Sequence, residues 1–317
     1  MNFKETNDVI YTDEFNKLKQ LLSTLKMEYP TVTIATPTFN RRPLIPFIKD
    51  VVMQQNYPHH LIEWLIIDDG TDPVQDLFHQ YENNMDNIKV RYVYLNSKLS
   101  MGKKRNMLNS LAHSQIIVYM DDDDYYPPDR ITHGVYSLLL HPDRFCAGSS
   151  AMNIYYVQDK IVKQWGPWHD KHSTAASLIF WKHQAKLVFN DTDCVGEETS
   201  FLNNYTIPII QLEPKLTLMV LAHSQNSCNK QMLKLSPLMK STKETLDTLV
   251  YNETIKTFIL TKVENILDSY KEGDIHFKPD IEKATRKKQS EIITKQANQI
   301  KELEKQIAFL QRRLKCN

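Results

Sequence analysis

Four runs of β-branched and aromatic residues, TVTIATPTF (31–39), LIEWLIIDD (61–69), VRYVYL (90–95) and IIVYM (116–120), alternate with helical patterns. This alternation constrains the fold more than any other feature. Apolar runs of that length read as buried strands. Between the first two, Leu44, Phe47, Ile48, Val51 and Val52 stand at i, i+3, i+4, i+7 and i+8, one face of a helix, with Pro43 suited to its first turn. Strand–helix–strand repeats predict an α/β fold with a mostly parallel, doubly wound sheet. Such a sheet binds its ligand beyond the C-terminal ends of its strands, where the strand order reverses. Polar groups stand there: the first strand runs into TPTFN, the second into DDGTD and the fourth into DDDDYY.

At 317 residues, 41% hydrophobic and 24% charged, the chain has room for one large domain with extensions or for two. A net charge of +1 gives no electrostatic reason to expect a nucleic-acid partner. The first residues lack the apolar stretch of a secretory signal, and no window reaches the ~20 apolar residues that span a bilayer. Cys146, Cys194, Cys228 and Cys316 are scattered and form no C-x-x-C pair. They read as reduced thiols, which predicts a cytoplasmic protein.

Residues 1–30 read as a helical extension, with Phe15, Leu18, Leu21, Leu22 and Leu25 at helical spacing. Residues 31–235 form the main domain, 236–280 read as helical and polar, and 281–317 as a coiled coil. Within the main domain, AMNIYYV and KIVKQW predict a hairpin turning at 158–160, TIPIIQL and KLTLMVLA predict strands, and a helix starts near Gly196. In the tail, Ile293, Ile300, Leu303, Ile307, Leu310 and Leu314 keep an a/d register in which Gln296 is the weak step. This predicts a homo-oligomer, and Ile at a with Leu at d favours two strands. A helix folded back on its own domain is the other open reading.

Asp121–Asp124 concentrate four carboxylates behind an apolar run. Strand alternation would place Asp121 and Asp123 on one side, Asp122 and Asp124 on the other. Carboxylates that share a side repel each other and need a cation. A hard divalent ion, Mn²⁺ or Mg²⁺, suits oxygen ligands and keeps coordination positions for phosphate oxygens. A hydrated acidic loop is the plain alternative. Glu197 and Glu198 suit the first turn of a helix on dipole grounds alone. His223 follows a predicted strand and is either a satisfied core histidine or a group near the metal or a diphosphate. Trp165 and Trp168, beside His169 and His172, predict an acceptor-site loop, because aromatic faces pack on sugar rings. Trp181 reads as core and Cys194 as packing.

Taken in order, TIATPTFNRRPLI, QNYPHHLIEWLIIDDGTDP, SMGKKRNMLN, VYMDDDDYYPPDRI and GEETSF resemble the family 2 glycosyltransferases of the GT-A fold, over about 31–205. Each segment is weak alone, but five in order are specific. The resemblance implies metal-dependent, inverting transfer of a sugar from a nucleotide-diphosphate donor, a UDP-sugar, to a hydroxyl acceptor. It implies a nucleotide-sugar half over 31–130 and an acceptor half over 131–235. Thr36, Thr38, Phe39 and Asn40 would line the nucleoside pocket, Asp69 would hydrogen-bond the base, and Asp68 would support that loop. Lys104 or Arg105 would lie near the phosphates. Asp121-x-Asp123 matches the family's DXD: Asp121 towards ribose and metal, Asp123 chiefly on the metal. Asp122 joins the donor side and His223 the metal. Glu198 stands where the family has the Asp of a Glu-Asp pair, the catalytic base, so this chain carries a longer arm there. Glu197 falls with Trp165 and Trp168 on the acceptor side. A nucleotidyltransferase would want a Gly-rich phosphate loop after the first strand, where this chain has TPTFNRRP. A non-catalytic coiled-coil protein with a vestigial pocket is the third reading.

Overall fold

The computed structural model describes residues 28–81, 85–184, 187–223, 226, 230–263, 265, 293–294 and 296–307. Phe15 to Leu25 of the expected N-terminal helix, and Leu310 and Leu314 of the tail, lie outside the described residues. The chain divides into two compact units, 1–277 and 278–317.

In the larger unit the four expected strands are β1 (Val32–Thr38), β2 (Ile62–Asp68), β3 (Lys89–Tyr94) and β4 (Ile116–Tyr119). Between them lie α1 (Ile45–Met53), α2 (Gln75–Tyr81) and α3 (Met101–Leu111). α4 (Arg130–Leu140) leads to β5 (Cys146–Gly148), the hairpin of β6 (Met152–Tyr156) and β7 (Ile161–Trp165), and β8 (Ile179–Trp181). Then come α5 (Glu198–Phe201), β9 (Ile210–Gln211), β10 (Met219–Ala222), β11 (Met239–Ser241), α6 (Leu246–Leu249) and α7 (Glu253–Phe258).

The main sheet runs β3-β2-β1-β4-β8-β5-β9, and a second sheet runs β10-β6-β7-β11. β1 pairs in parallel with β2 on one side and β4 on the other, and β2 pairs in parallel with β3. The chain therefore winds outward through β3 and returns to β4, which puts the reversal of strand order between β1 and β4.

Every residue of β1, β2 and β4 is buried, as expected for strands covered on both faces. The period of two sorts them. Ile34, Trp64, Ile66, Ile116 and Val118 pack with Phe47, Ile48 and Val51 of α1 on one face. Ala35, Leu65, Ile67, Ile117 and Tyr119 pack with Leu108 of α3 on the other. One helix on each face is the doubly wound arrangement that the alternation predicts.

Two expectations change. The stretch from 236, read as helical, first makes β11, with Met239 opposite Trp165. A three-residue edge strand has no period for sequence to display. TIPIIQL contributes only Ile210 and Gln211 to a strand, and Pro208 before them lacks an amide to donate to a ladder. Among the described residues, no helix is long and apolar enough to cross a membrane.

In the smaller unit, residues 296–307 are helical, and Ile300, Leu303 and Ile307 are exposed.

Candidate active site

β4 ends at Tyr119, and the chain turns through Asp122 and Asp123 instead of running on as a strand. The expected two-sided alternation therefore fails. Asp121, Asp123 and Asp124 all line one cleft of about 400 Å³, and Asp122 does not. The Asp121 amide donates to the Tyr126 hydroxyl at 2.7 Å, and the Leu221 amide of β10 donates to Asp124 at 3.2 Å. These bonds lodge the turn between the two sheets. Burial, then the charges of Asp123 and Asp121, push the Asp124 carboxyl well above its ordinary value, with Lys230 opposing.

Two buried arginines supply much of the positive charge that the aspartate run requires. Arg105 on α3 donates through Nη1 and Nη2 to the two oxygens of Asp121, 3.1 Å each, and through Nε to Glu197 at 2.8 Å. Its guanidinium carbon lies 4.6 Å from the Tyr119 ring centroid. Burial works against this charge, but Asp121 and Glu197 outweigh it and hold the guanidinium above its ordinary value. Arg41 comes within 3.8 Å of Asp122 and 3.5 Å of Asp123 while only 2% exposed. Sequence reasoning missed Arg41, because RRP read only as a helix start. The available signal was two cations directly after the ligand-end turn of β1. Arg42 is half-buried and pairs outward with Asp72 and Asp76, which leaves the inward place to Arg41.

At the ends of β1 and β2 the named residues form a second group. Thr36 Oγ1 donates to the Met120 carbonyl at 2.8 Å and accepts from Trp64 Nε1 at 2.9 Å, which ties three strands together. Asn40 has a left-handed backbone, φ 52°, and its Oδ1 accepts from the Thr71 and Asp72 amides at 2.7 and 3.0 Å. A Cβ on Gly70 would lie 2.5 Å from that Oδ1, so the DDG turn needs its glycine. Asp68 accepts from the Gly70 amide at 2.9 Å and the Tyr92 hydroxyl at 2.6 Å. Asp69 pairs with Lys104 and accepts from the Leu99 amide at 2.7 Å. Lys104 also donates to the Thr38 carbonyl at 3.0 Å, and burial pulls its ammonium below the ordinary value despite Asp69. Thr38 Oγ1 is buried without a protein partner among the described residues. Lys98 stands 4.9 Å from the centroid of the Phe39 ring. Of the two cations expected at the phosphates, Lys104 joins this group and Arg105 joins the acidic cleft.

The cleft's far wall comes from the second half of the domain. Glu198 opens α5 and lines the cleft beside Glu197, after a left-handed Gly196 with φ 60°. Trp165 and Trp168 also line it, and Trp168 is 51% exposed. His172 is buried, with Nδ1 3.1 Å from Ser150 Oγ. Ser150 Oγ accepts from the Trp168 amide at 2.9 Å. Cys194, expected in packing, lines the cleft instead, as does Lys230. Trp181 packs against the core.

Of the three residues named for a metal, two converge: His223 Nε2 lies 3.4 Å from Asp123 Oδ2. Asp121 has both oxygens engaged by Arg105. Among the described residues, no group of three His, Cys, Asp or Glu side chains is arranged to hold an ion. The Asp123 carboxylate suits a hard divalent ion such as Mn²⁺ or Mg²⁺, whose other positions phosphate and water would fill; the His223 imidazole, whose Nε2 also lies 2.9 Å from Asn226 Nδ2, is a less usual ligand for such an ion.

Residues 33–196, just over half of the chain, match the profile of glycosyl transferase family 2. A Bacillus subtilis protein that carries the name of a teichuronic acid biosynthesis glycosyltransferase, TuaG, is 31% identical over 121 residues, 38% of this chain and 45% of that protein. The chain thus spans less than half the length of the curated relatives it matches. Among solved structures, a mannosyltransferase from Pyrobaculum calidifontis in complex with GDP-Man and Mn²⁺ aligns with a TM-score of 0.48 at 17% identity, covering 67% of this chain and 66% of that one. Staphylococcus aureus TarS 1–349 in complex with UDP-GlcNAc aligns with a TM-score of 0.45 at 16% identity, covering 73% and 71%.

Proposed function

The chain belongs to glycosyl transferase family 2, and from that membership we propose that it transfers a sugar, with inversion, from a nucleotide-diphosphate donor to a hydroxyl acceptor. Uridine is the base that the sequence resemblance favours. One observation carries the reading: Arg105 bridges Asp121 and Glu197, so the acidic turn after β4 and the first turn of α5 face the same cleft.

In this reading Glu198 is the general base. It takes the acceptor hydroxyl's proton as that oxygen attacks the anomeric carbon. The bond from this carbon to the diphosphate oxygen breaks, and its electron pair leaves with the diphosphate. A single displacement needs one catalytic carboxylate, and proton transfer of this kind contributes typically ~10²–10⁴-fold. Glu197 is less suited, because Arg105 already engages it.

Asp123 and His223 would hold Mn²⁺ or Mg²⁺, which when bound supplies electrostatic stabilisation of the leaving diphosphate. Lys230, lining the cleft near Asp124, adds positive charge on that side. Thr38, Phe39 and Asn40 edge the nucleoside pocket, with Asp69 fixing Lys104 at its base. The exposed Trp168 face offers a platform for a ring-bearing acceptor, whether glycan, protein, lipid or small molecule. Scattered thiols support a cytoplasmic setting, and the tail's a/d register supports a homo-oligomer.

The test is to incubate the protein with Mn²⁺ and a panel of sugar nucleotides and to measure free nucleoside diphosphate. Release from one donor, lost with a chelator, is expected. No release from any donor counts against the reading.

A further inference from the structure

α5 is four residues long, Glu198 to Phe201, and no side chain caps its start. A helix that short cannot hold itself, because one turn does not recover the cost of nucleation. Its place, and with it the place of Glu198, is set by what it rests on. Phe201 stacks on Phe189, with ring centroids 4.5 Å apart and planes inclined by 19°. The Asn190 amide donates to Ser200 Oγ at 2.9 Å, and that Oγ lies 2.8 Å from both Asp193 Oδ2 and the Glu197 carbonyl. Residues 189–193 are thus the seat of α5, and they belong to no helix or strand.

A seat without a ladder of its own needs partners for its backbone from elsewhere. Asn106 of α3 supplies them. Its Oδ1 accepts from the Phe189 amide at 2.9 Å and its Nδ2 donates to the Phe189 carbonyl at 2.8 Å, the pairing a neighbouring strand would offer. Nδ2 also donates to Asp191 Oδ1 at 2.8 Å. One acceptor and two donors are in use, a set that an amide has and an ionised carboxylate lacks. One turn earlier, the Gly102 amide donates to the Asp193 carbonyl at 2.8 Å, and a Cβ on Gly102 would lie 2.1 Å from the Asn190 carbonyl oxygen. The residue before Asn106 is Arg105, which holds Asp121 and Glu197.

We propose that Asn106 is a positioning residue for Glu198: its amide fixes the segment Phe189–Asp191, and that segment seats the short α5 so that its first residue faces the cleft. This rests on the reading of Glu198 as the base. Two adjacent residues of α3 then have separate tasks, Arg105 spacing the acidic segments and Asn106 placing the base.

Asn106→Asp keeps the size of the side chain and turns both donors into acceptors. In donor hydrolysis with Mn²⁺, kcat should fall about tenfold, while KM for the sugar nucleotide and the Kd for UDP stay within about twofold. Added to Glu198→Gln, the same substitution should change the residual kcat less than about twofold, because no base is left to misplace. Ser200→Ala removes the acceptor of the Asn190 amide on α5 itself and should show the same pattern, so it decides the matter if Asn106→Asp does not fold. Three results would overturn the inference: an active wild type with kcat unaltered in the folded variants, an equal loss with and without Glu198→Gln, or a parallel loss of UDP affinity. A wild type that turns over no sugar nucleotide overturns the underlying function as well, and so is told apart from failure of the positioning role alone.

Discussion

Arg105 grips Asp121 with both terminal nitrogens, 3.1 Å from each carboxylate oxygen. Its remaining Nε donates to Glu197. One planar guanidinium therefore sets the distance between the two acidic segments of the cleft, a geometry that a lysine's point charge cannot reproduce.

Arg105→Met should consequently damage fold and site together. Removing one partner of a buried ion pair leaves uncompensated charge, at a cost of about 3–5 kcal/mol. Urea denaturation measures this, and an unchanged midpoint would show that the clamp contributes nothing to stability.

Asp123→Ala removes one of the two converging metal candidates, and the strand core does not depend on it. Turnover with Mn²⁺ should fall by about 10²-fold or more, and Mn²⁺ affinity by paramagnetic resonance should weaken, with circular dichroism unchanged. Unaltered Mn²⁺ affinity would return Asp123 to being only a partner of Arg41 and His223.

Glu198→Gln is expected to keep calorimetric affinity for UDP with Mn²⁺ and to lose ~10²–10⁴-fold in turnover. Loss of affinity with normal turnover at saturation would move Glu198 to the donor side.

Acid should destabilise the fold below neutrality. Burial, then His169, pull His172 down to about 4, and burial, then Arg130, hold His133 at about 4. Unfolded, both titrate near 6.5. Between those values the unfolded chain binds protons that the folded chain excludes, so stability falls as pH drops from 6.5 towards 4. Each histidine contributes on the order of 3 kcal/mol over the full window. Replacing His172 with Gln keeps an acceptor for Ser150 and should shrink the loss between pH 7 and pH 5. Identical losses in both proteins, by urea midpoint, would remove His172 from this account.

Ile300→Glu combined with Leu303→Glu places charge in the a/d seam of the tail. Sedimentation should show a dimeric wild type and a monomeric variant, with donor turnover retained. Equal masses would assign assembly elsewhere.

Much of the architecture was legible because its causes are local. Leu44, Phe47, Ile48, Val51 and Val52 announce a helix face by spacing, and all five are buried. β1, β2 and β4 announce themselves by apolar runs that a doubly covered sheet requires. β11 was not legible, since three edge residues are held by backbone pairing to β7 and display no pattern of their own. The aspartate turn misled in a similar way: once the strand stops at Tyr119, alternation no longer governs where Asp124 points.

The linear order by itself determined the alternating elements, the crevice at the strand ends and the clustering of acidic groups there. Each follows from neighbours a few positions apart. Tertiary structure alone decided which cations meet those acids. Arg41 lies 82 positions from Asp123, Arg105 lies 92 from Glu197, and Lys104 lies 35 from Asp69. Spacing carries no trace of such pairings, because a buried charge takes whichever opposite charge the packed chain brings within reach, and only the fold brings it there.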